Sequence, residues 1–420
     1  MSNISCILYP PTVEFNYLVQ RPQQLMKSFS LLNVPVFYLN LVKYMADKQN
    51  IEKFNPYLYI FNNVDPRPYL HNVKPVVYYS ATSHVEVVKK YKPSLIVFDS
   101  VDEPSEEFAQ WRPHYHQAVS TADVVLATSD SLYDAAREIN PHTYLVPNGC
   151  DYDFFSLAAS KSLPVPDDMK NISAPIIGYF GALASWCDLE LIEQIADQHP
   201  DWSIVLIGPL YNISTVPSRP NIHWLGFKPY NSLASYAQLF DVGIIPFRQS
   251  TMTESVNPIK MWEYMATGMP IVATAIPEVK KYEELLYPAE NGAEFIQKIQ
   301  QALVEDTPEK RSQRMEFARN NSWSNRARQI IEIIETRLVE KGYINRSSVL
   351  PLAEALPYNP GIHYPFPSRV LKVSKNSFSY STGKVVVPFK KSDFPSTQQT
   401  VREVRVSDRL PYKISTGRVR

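Results

Sequence analysis

The sequence predicts two doubly wound parallel α/β domains in tandem, followed by a docking helix and a basic extension. Three observations carry this. Short apolar runs alternate with helical patterns over residues 1–155. The alternation lapses at residues 156–175, where Ser, Lys, Pro and Asp follow no clear period and mark a linker. It then restarts and runs to residue 321. With 420 residues, 45% of them hydrophobic, the chain can fill two such cores and carry an appendage.

In the first domain, strands are expected at 4–9, 34–39, 57–61, 75–79, 95–98 and 124–127. Helical patterns fall between most of them, as at 22–32 and 105–121. Another follows the last strand at 129–139, with Ser129 as its cap. Residues 143–146 lead into the turn PNGCD and out of the domain. The second domain offers strands at 176–180, 203–207, 222–225 and 242–247, with helices at 189–198 and 232–240 and a polar loop at 248–256.

Residues 257–274 read NPIKMWEYMATGMPIVAT: a short helix, a glycine stop and a buried strand at 270–274. Asn257 suits the N-cap and Pro258 the first helical position. Helices at 289–304 and 308–321 follow, then a last one at 323–340. Its Ile330, Ile331, Ile333, Ile334 and Leu338 form a broad apolar face suited to docking, which sets residues 322–342 apart as a docking element. Past Gly342 the pattern breaks. Two phrases echo each other there, YSTGKV at 380–385 and ISTGRV at 414–419, and residues 343–420 read as extended strands or disorder.

Formal charge is zero but unevenly spread: residues 346–420 hold 13 Lys and Arg against 4 Asp and Glu. A basic tail on an acidic body suits an intramolecular contact, an anionic partner surface such as a membrane, or simple solvation. Nucleic-acid binding is not expected, since the body is acidic and no recognition module is present. Cys6, Cys150 and Cys187 have no CxxC spacing, so neither disulfides nor a zinc site are expected. The N-terminus lacks a signal-peptide pattern and no stretch is long enough to span a membrane. The expectation is a cytoplasmic protein, with peripheral contact at the inner membrane face left open.

The chemistry concentrates in residues 257–274. A helix N-terminus with a lysine in its first turn attracts anions, because unpaired N–H groups and the helix dipole point at the ligand. Lys260 and Glu263 lie three apart and share a helix face, so a carboxylate able to accept from a vicinal diol sits beside a cation for phosphate. A surface ion pair is the plain alternative.

These features resemble the family 4 retaining glycosyltransferases of the GT-B fold, in which two Rossmann-like domains face each other across a cleft. The similarity covers roughly residues 1–342. It is strongest at 241–274, where DVGIIPFR precedes the helix just described, and moderate at 122–129 (ADVVLATS) and 147–151 (PNGCD). The narrower likeness is to bacterial enzymes making teichuronic acid or exopolysaccharide. The resemblance implies a nucleotide-sugar donor, UDP- or GDP-linked, and a saccharide or lipid-linked acceptor. It places Glu263 on the ribose, Asn257 and Pro258 at the helix end facing the β-phosphate, Gly226 and Phe227 on the loop around the base, and Gly181 at the turn near phosphate.

The chain departs from the family pattern at several points. Ser255 stands where the first of two glutamates is usual. The Arg and Lys usual after the first strand of the second domain are absent, and PPTVEFNYLVQRP replaces a glycine-rich loop. Arg248 and Lys260 are the candidates to supply the missing positive charge. No D-x-D motif stands in a suitable loop, so no metal is expected.

For catalysis the candidates are Arg248 and Lys260, stabilising the leaving diphosphate together with the Asn257 helix end, and Asp102, with Asp99 and Glu103 as rivals. The resemblance implies front-face attack, with the donor phosphate helping to take the acceptor proton. Asp102 would orient the acceptor or steady the sugar cation; alternatively it caps the helix near Ser105. Gln20 and Arg21 open a helix expected to point into the cleft. Arg21 either holds an anionic acceptor or makes a structural salt bridge. His84 is a weaker acceptor-side candidate, and Phe15 and Tyr17 stack on sugars or simply pack. Two other functions fit the same architecture: a catalytically degenerate scaffold for binding or assembly, and a nucleotide-sugar epimerase, which would need an acid–base set the sequence does not display.

Overall fold

The computed structural model describes residues 2–40 and 49–345, which belong to one compact unit. The basic extension from residue 346 lies outside the described residues, as do the expectations placed on it.

The first sheet contains β1 (Ile7–Tyr9), β2 (Val36–Asn40), β3 (Asn50–Asn55), β4 (Leu58–Asn62), β5 (Val76–Tyr79), β6 (Leu95–Ser100), β7 (Val124–Ala127) and β8 (Thr143–Leu145). Their spatial order is β3-β4-β2-β1-β5-β6-β7-β8. Every pairing is parallel except β3 with β4. Its central strands β1, β2, β5 and β7 are buried at every residue, which is why they read as unbroken apolar runs.

The second sheet contains β9 (Ile176–Phe180), β10 (Ser203–Ile207), β11 (Ile222–Trp224), β12 (Val242–Ile245), β13 (Ile271–Thr274) and β14 (Tyr287–Ala289). It is parallel throughout, in the order β11-β10-β9-β12-β13-β14. Strand order reverses next to β9 in this sheet and next to β1 in the first, and such switch points open crevices at the carboxyl ends of strands. The expected fold class, two doubly wound sheets in sequence, is what the chain adopts.

The 156–175 stretch is less of a free linker than its composition suggests. Ala158 and Met169 are buried in the second domain's core, and the Gln238 side chain pairs with both backbone groups of Leu163. The final helix, Trp323–Glu340, returns to the first sheet. Its Trp323, Ala327, Ile330, Ile331, Ile334 and Leu338 join that sheet's core rather than the second one's. All three cysteines are free and buried. Among the described residues no helix is long and apolar enough to cross a membrane.

Candidate functional site

A cavity of about 480 Å³ lies between the carboxyl ends of the two sheets, with both sheets contributing to its walls. From the first sheet come Thr12 after β1, Ser80 after β5 and Asp102 after β6. From the second come Gly181 after β9, Gly208 after β10 and Phe247 after β12.

The helix Ile259–Thr267 enters this cavity by its N-terminus. Its cap is Pro258, extended at φ −69° and ψ 120°, so the helix starts later than the expected Asn257 cap and Pro258 first turn. Asn257 is committed elsewhere. Its Oδ1 accepts from the Asn148 N–H at 3.1 Å and from Trp262 Nε1 at 2.8 Å, and its Nδ2 donates to Glu278 Oε2 at 2.8 Å. Both Asn257 and Pro258 still line the cavity. Gly268, in the left-handed region at φ 81°, ends the helix as expected.

Lys260 and Glu263 share the helix face turned to the cavity. The Lys260 ammonium sits over the rings of Phe247 at 4.8 Å and Tyr179 at 5.2 Å, and among the described residues it makes no hydrogen bond or ion pair. Burial lowers its pKa, opposed by nearby Cys187 and Glu263. Glu263 is only 5% exposed and accepts from the Tyr230 hydroxyl at 3.2 Å. Burial pushes its carboxyl up to about 8. Burial thus penalises both charges, and a ligand bringing an anion to one and hydrogen-bond donors to the other would favour them. Gly181 makes room for the lysine: at φ 138° it adopts a conformation side chains disfavour, and a Cβ there would stand 3.0 Å from Lys260 Cε.

On the first-domain wall, Asp102 is half-buried and has no hydrogen-bond partner among the described residues. Burial, with a smaller push from Asp99, raises its carboxyl to about 7. Asp99 is engaged in a different way. It is fully buried and takes both Nε and Nη2 of Arg21, at 2.8 and 2.9 Å, with the Tyr78 hydroxyl at 2.7 Å. Arg21 also donates to the Pro147 carbonyl and to Asn148 Oδ1, so its guanidinium is taken up by structural partners although it borders the cavity. Gln20 lies exposed at the rim, its N–H held by Gln23 Oε1.

Other expected residues do not line the cavity. Arg248 points to the surface and pairs with Glu190 at 3.3 Å. Ser255 is buried behind the short helix Thr251–Glu254, its hydroxyl turned to the Thr251 carbonyl at 3.5 Å. Gly226, at φ 67°, serves the loop backbone by accepting from the Gly208 N–H, while its neighbour Phe227 does line the cavity and stacks on Tyr17 at 5.3 Å. His84 lies behind Thr12, 3.5 Å from its hydroxyl, and burial lowers its pKa to about 4, so it is neutral. Phe15 is a core residue packed edge-on against Tyr38.

Tyr230, Asn148 and Glu278 went unread in the sequence. The phrases GFKPY and PNGCD hold the first two, but their partners lie 33 and 109 positions away. Among the described residues, no three His, Cys, Asp or Glu side chains come together as a metal-ligand set.

Residues 174–305 match the family model of glycosyl transferases group 1. The chain is 29% identical over 231 residues to the putative teichuronic acid biosynthesis glycosyltransferase TuaH of Bacillus subtilis (strain 168). That match covers 51% of this chain and 57% of the relative, so the chain spans little more than half its relative's length. Among solved structures it resembles alpha,alpha-trehalose 6-phosphate synthase of Burkholderia multivorans, with a TM-score of 0.61 and 10% identity over 82% of this chain and all of that one. It also resembles Anabaena HepE in complex with UDP and glucose, with a TM-score of 0.58 and 14% identity over 80% of this chain and all of that one. Residues 174–305 thus resemble a group 1 glycosyl transferase domain, in a chain with the GT-B fold.

Proposed function

We propose that this chain is a glycosyltransferase that moves a sugar from a UDP- or GDP-linked donor to a saccharide or lipid-linked acceptor of the cell envelope. Retention of anomeric configuration and independence from metal are part of the proposal. One observation carries it: Lys260 and Glu263 project from one helix N-terminus into the cavity between the two sheets, where Gly181 lets the backbone approach the lysine. The comparisons support the class, since the family and the Bacillus relative are glycosyltransferases by name.

In this reading the ribose diol donates to Glu263, and Tyr230 fixes the carboxylate that receives it. The diphosphate lies at the N-terminus of helix Ile259–Thr267 with Lys260 against it. As the glycosidic bond breaks, negative charge grows on the leaving phosphate, and Lys260 with the helix-end N–H groups stabilises it. Arg248 takes part only if its exposed pair with Glu190 opens. Across the cavity Asp102 has a free carboxyl to receive an acceptor hydroxyl or steady the sugar cation.

Calorimetric titration with UDP, GDP and ADP tests the proposal. One nucleotide is expected to bind wild type, and Glu263→Ala is expected to lose it. Failure of folded wild type to bind any of the three would overturn the reading. A second reading, a scaffold that binds without turnover, is favoured by Ser255 at the missing glutamate and by Arg248 lying outside the cavity. Nucleotide binding with no donor turnover would select it.

A further inference from the structure

Charge is divided between the two walls of the cavity. Among the described residues, Lys228, Lys260 and Glu263 are the charged side chains lining it from the second domain, and Arg21 and Asp102 those from the first. Two of the three cations are already paired. Asp99 holds Arg21 through both carboxylate oxygens, and the Pro147 carbonyl and Asn148 Oδ1 take its remaining N–H groups. The Lys228 ammonium lies 2.6 Å from Asp168 Oδ2. Lys260 is the one cation left for a ligand, and it stands on the second-domain wall.

The first-domain wall is the reverse. Its charge without a partner is negative: Asp102, half-buried in the cavity lining, makes no hydrogen bond or ion pair among the described residues. Around it the polar lining is neutral, with Thr12, Asn16 and Ser80. A diphosphate at the Ile259–Thr267 helix end would take up Lys260, and no unpaired cation would remain along the cavity for a second anion. An anionic group entering beside Asp102 would meet a like charge where the walls limit screening by water. A sugar hydroxyl would instead donate to that carboxylate in a charge-assisted hydrogen bond.

We propose that Asp102 is a specificity-determining residue: it admits a saccharide acceptor whose entering end carries no negative charge and rejects one ending in a carboxylate or phosphate. This deepens the glycosyltransferase reading and rests on it for the word acceptor. It also replaces the expectation that Arg21 holds an anionic acceptor, since Asp99 already neutralises that guanidinium.

The test uses the full chain and an array of immobilised oligosaccharides in matched pairs. The members of a pair differ only at C6 of the non-reducing terminal sugar, a hydroxymethyl group in one and a carboxylate in the other. Binding is read with saturating UDP or GDP at pH 8.5, above the value of about 7 to which burial raises Asp102, so that its carboxyl is ionised. Wild type is expected to prefer the neutral member about tenfold or more, and Asp102→Asn to bring the two within about threefold. Asp102→Glu, which keeps the charge, is expected to keep a preference for the neutral member. Thermal unfolding of Asp102→Asn is expected at or above the wild-type temperature, because an amide there removes a charge that burial disfavours. Equal or tighter binding of the carboxylate member by wild type, a preference that Asp102→Asn leaves unchanged, or no member of any pair bound would each overturn the proposal. A preference for neutral saccharides that depends on Asp102, in a protein that calorimetry shows to bind no nucleotide, would leave the selection standing and remove the glycosyltransferase reading instead.

Discussion

Glu263 gives the site its sharpest signature, because its proton is tied to the fold. In the folded chain burial lifts its carboxyl from 4.5 to about 8. Between those values the folded state holds a proton that the unfolded state has released, so Glu263 makes stability fall as pH rises. Glu263→Gln removes that contribution. Its urea-unfolding stability is expected to decline less than wild type's between pH 5 and pH 8, and parallel declines would contradict the raised pKa. Lys260 is judged on function. A charge-assisted phosphate contact contributes roughly 1.5–3 kcal/mol. Lys260→Ala should therefore lower donor turnover at least about tenfold, and a variant with wild-type turnover would take Lys260 out of the site. Gly181 acts through both backbone and space. Gly181→Ala puts a methyl against Lys260 Cε at a φ of 138°, and about 1–3 kcal/mol of strain is expected. Weaker nucleotide binding should accompany it, since the lysine must move; calorimetry with the bound nucleotide checks this.

Elements were legible where one force dominates. The helix Trp323–Glu340 has the boundaries its period implies, and its apolar stripe meets the first sheet. The central strands follow their apolar runs to within a few residues. Two edge strands escaped notice for physical reasons. β3 is half-exposed and mostly polar, and among the described residues it pairs, antiparallel, on one side alone. β14 carries Pro288, a residue that sequence reading removes from strands but that an edge tolerates where no partner needs its N–H. The loop 248–256 hides a helical turn whose cap, Ser250, pairs with Thr253 instead of the usual Glu or Gln. In the candidate site, Lys260 and Glu263 were readable because three-residue spacing places them together whatever surrounds the helix. The occupation of Arg21 by Asp99 was not, because it depends on a residue 78 positions away. The returning helix yields a prediction of its own. Ile331 is 1% exposed within the first sheet's core. Ile331→Ala should cost about 2–5 kcal/mol in urea unfolding. A loss under about 1 kcal/mol would mean the helix merely rests on the sheet.

At the scale of the molecule, the two sheets are joined by a continuous buried hydrogen-bond chain beneath the cavity. It runs from Tyr78 and Asp99 through Arg21 to Asn148, then to Asn257, and on to Glu278. Glu278 returns it to the first domain, accepting from the Asp130 N–H at 3.1 Å, while Lys281 bridges Glu278 and Asp130. Asn257 precedes the helix that presents Lys260, so the chain sets that helix against the first-domain wall carrying Asp102. Buried networks of this kind are directional, and one missing member leaves its neighbours unsatisfied. Glu278 is the informative member, because it is 2% exposed and does not line the cavity. Glu278→Ala strips a partner from Asn257, Asp130 and Lys281 at once. A loss of about 1.5–3 kcal/mol in unfolding stability is expected, the range of a hydrogen bond to a charged group. If the chain positions the helix, nucleotide affinity should fall with it although Glu278 touches no ligand, and Glu278→Gln, which can still pair with Asn257, should recover part of that affinity. Wild-type affinity in Glu278→Ala, measured on folded protein, would show that the helix holds its place without the other domain.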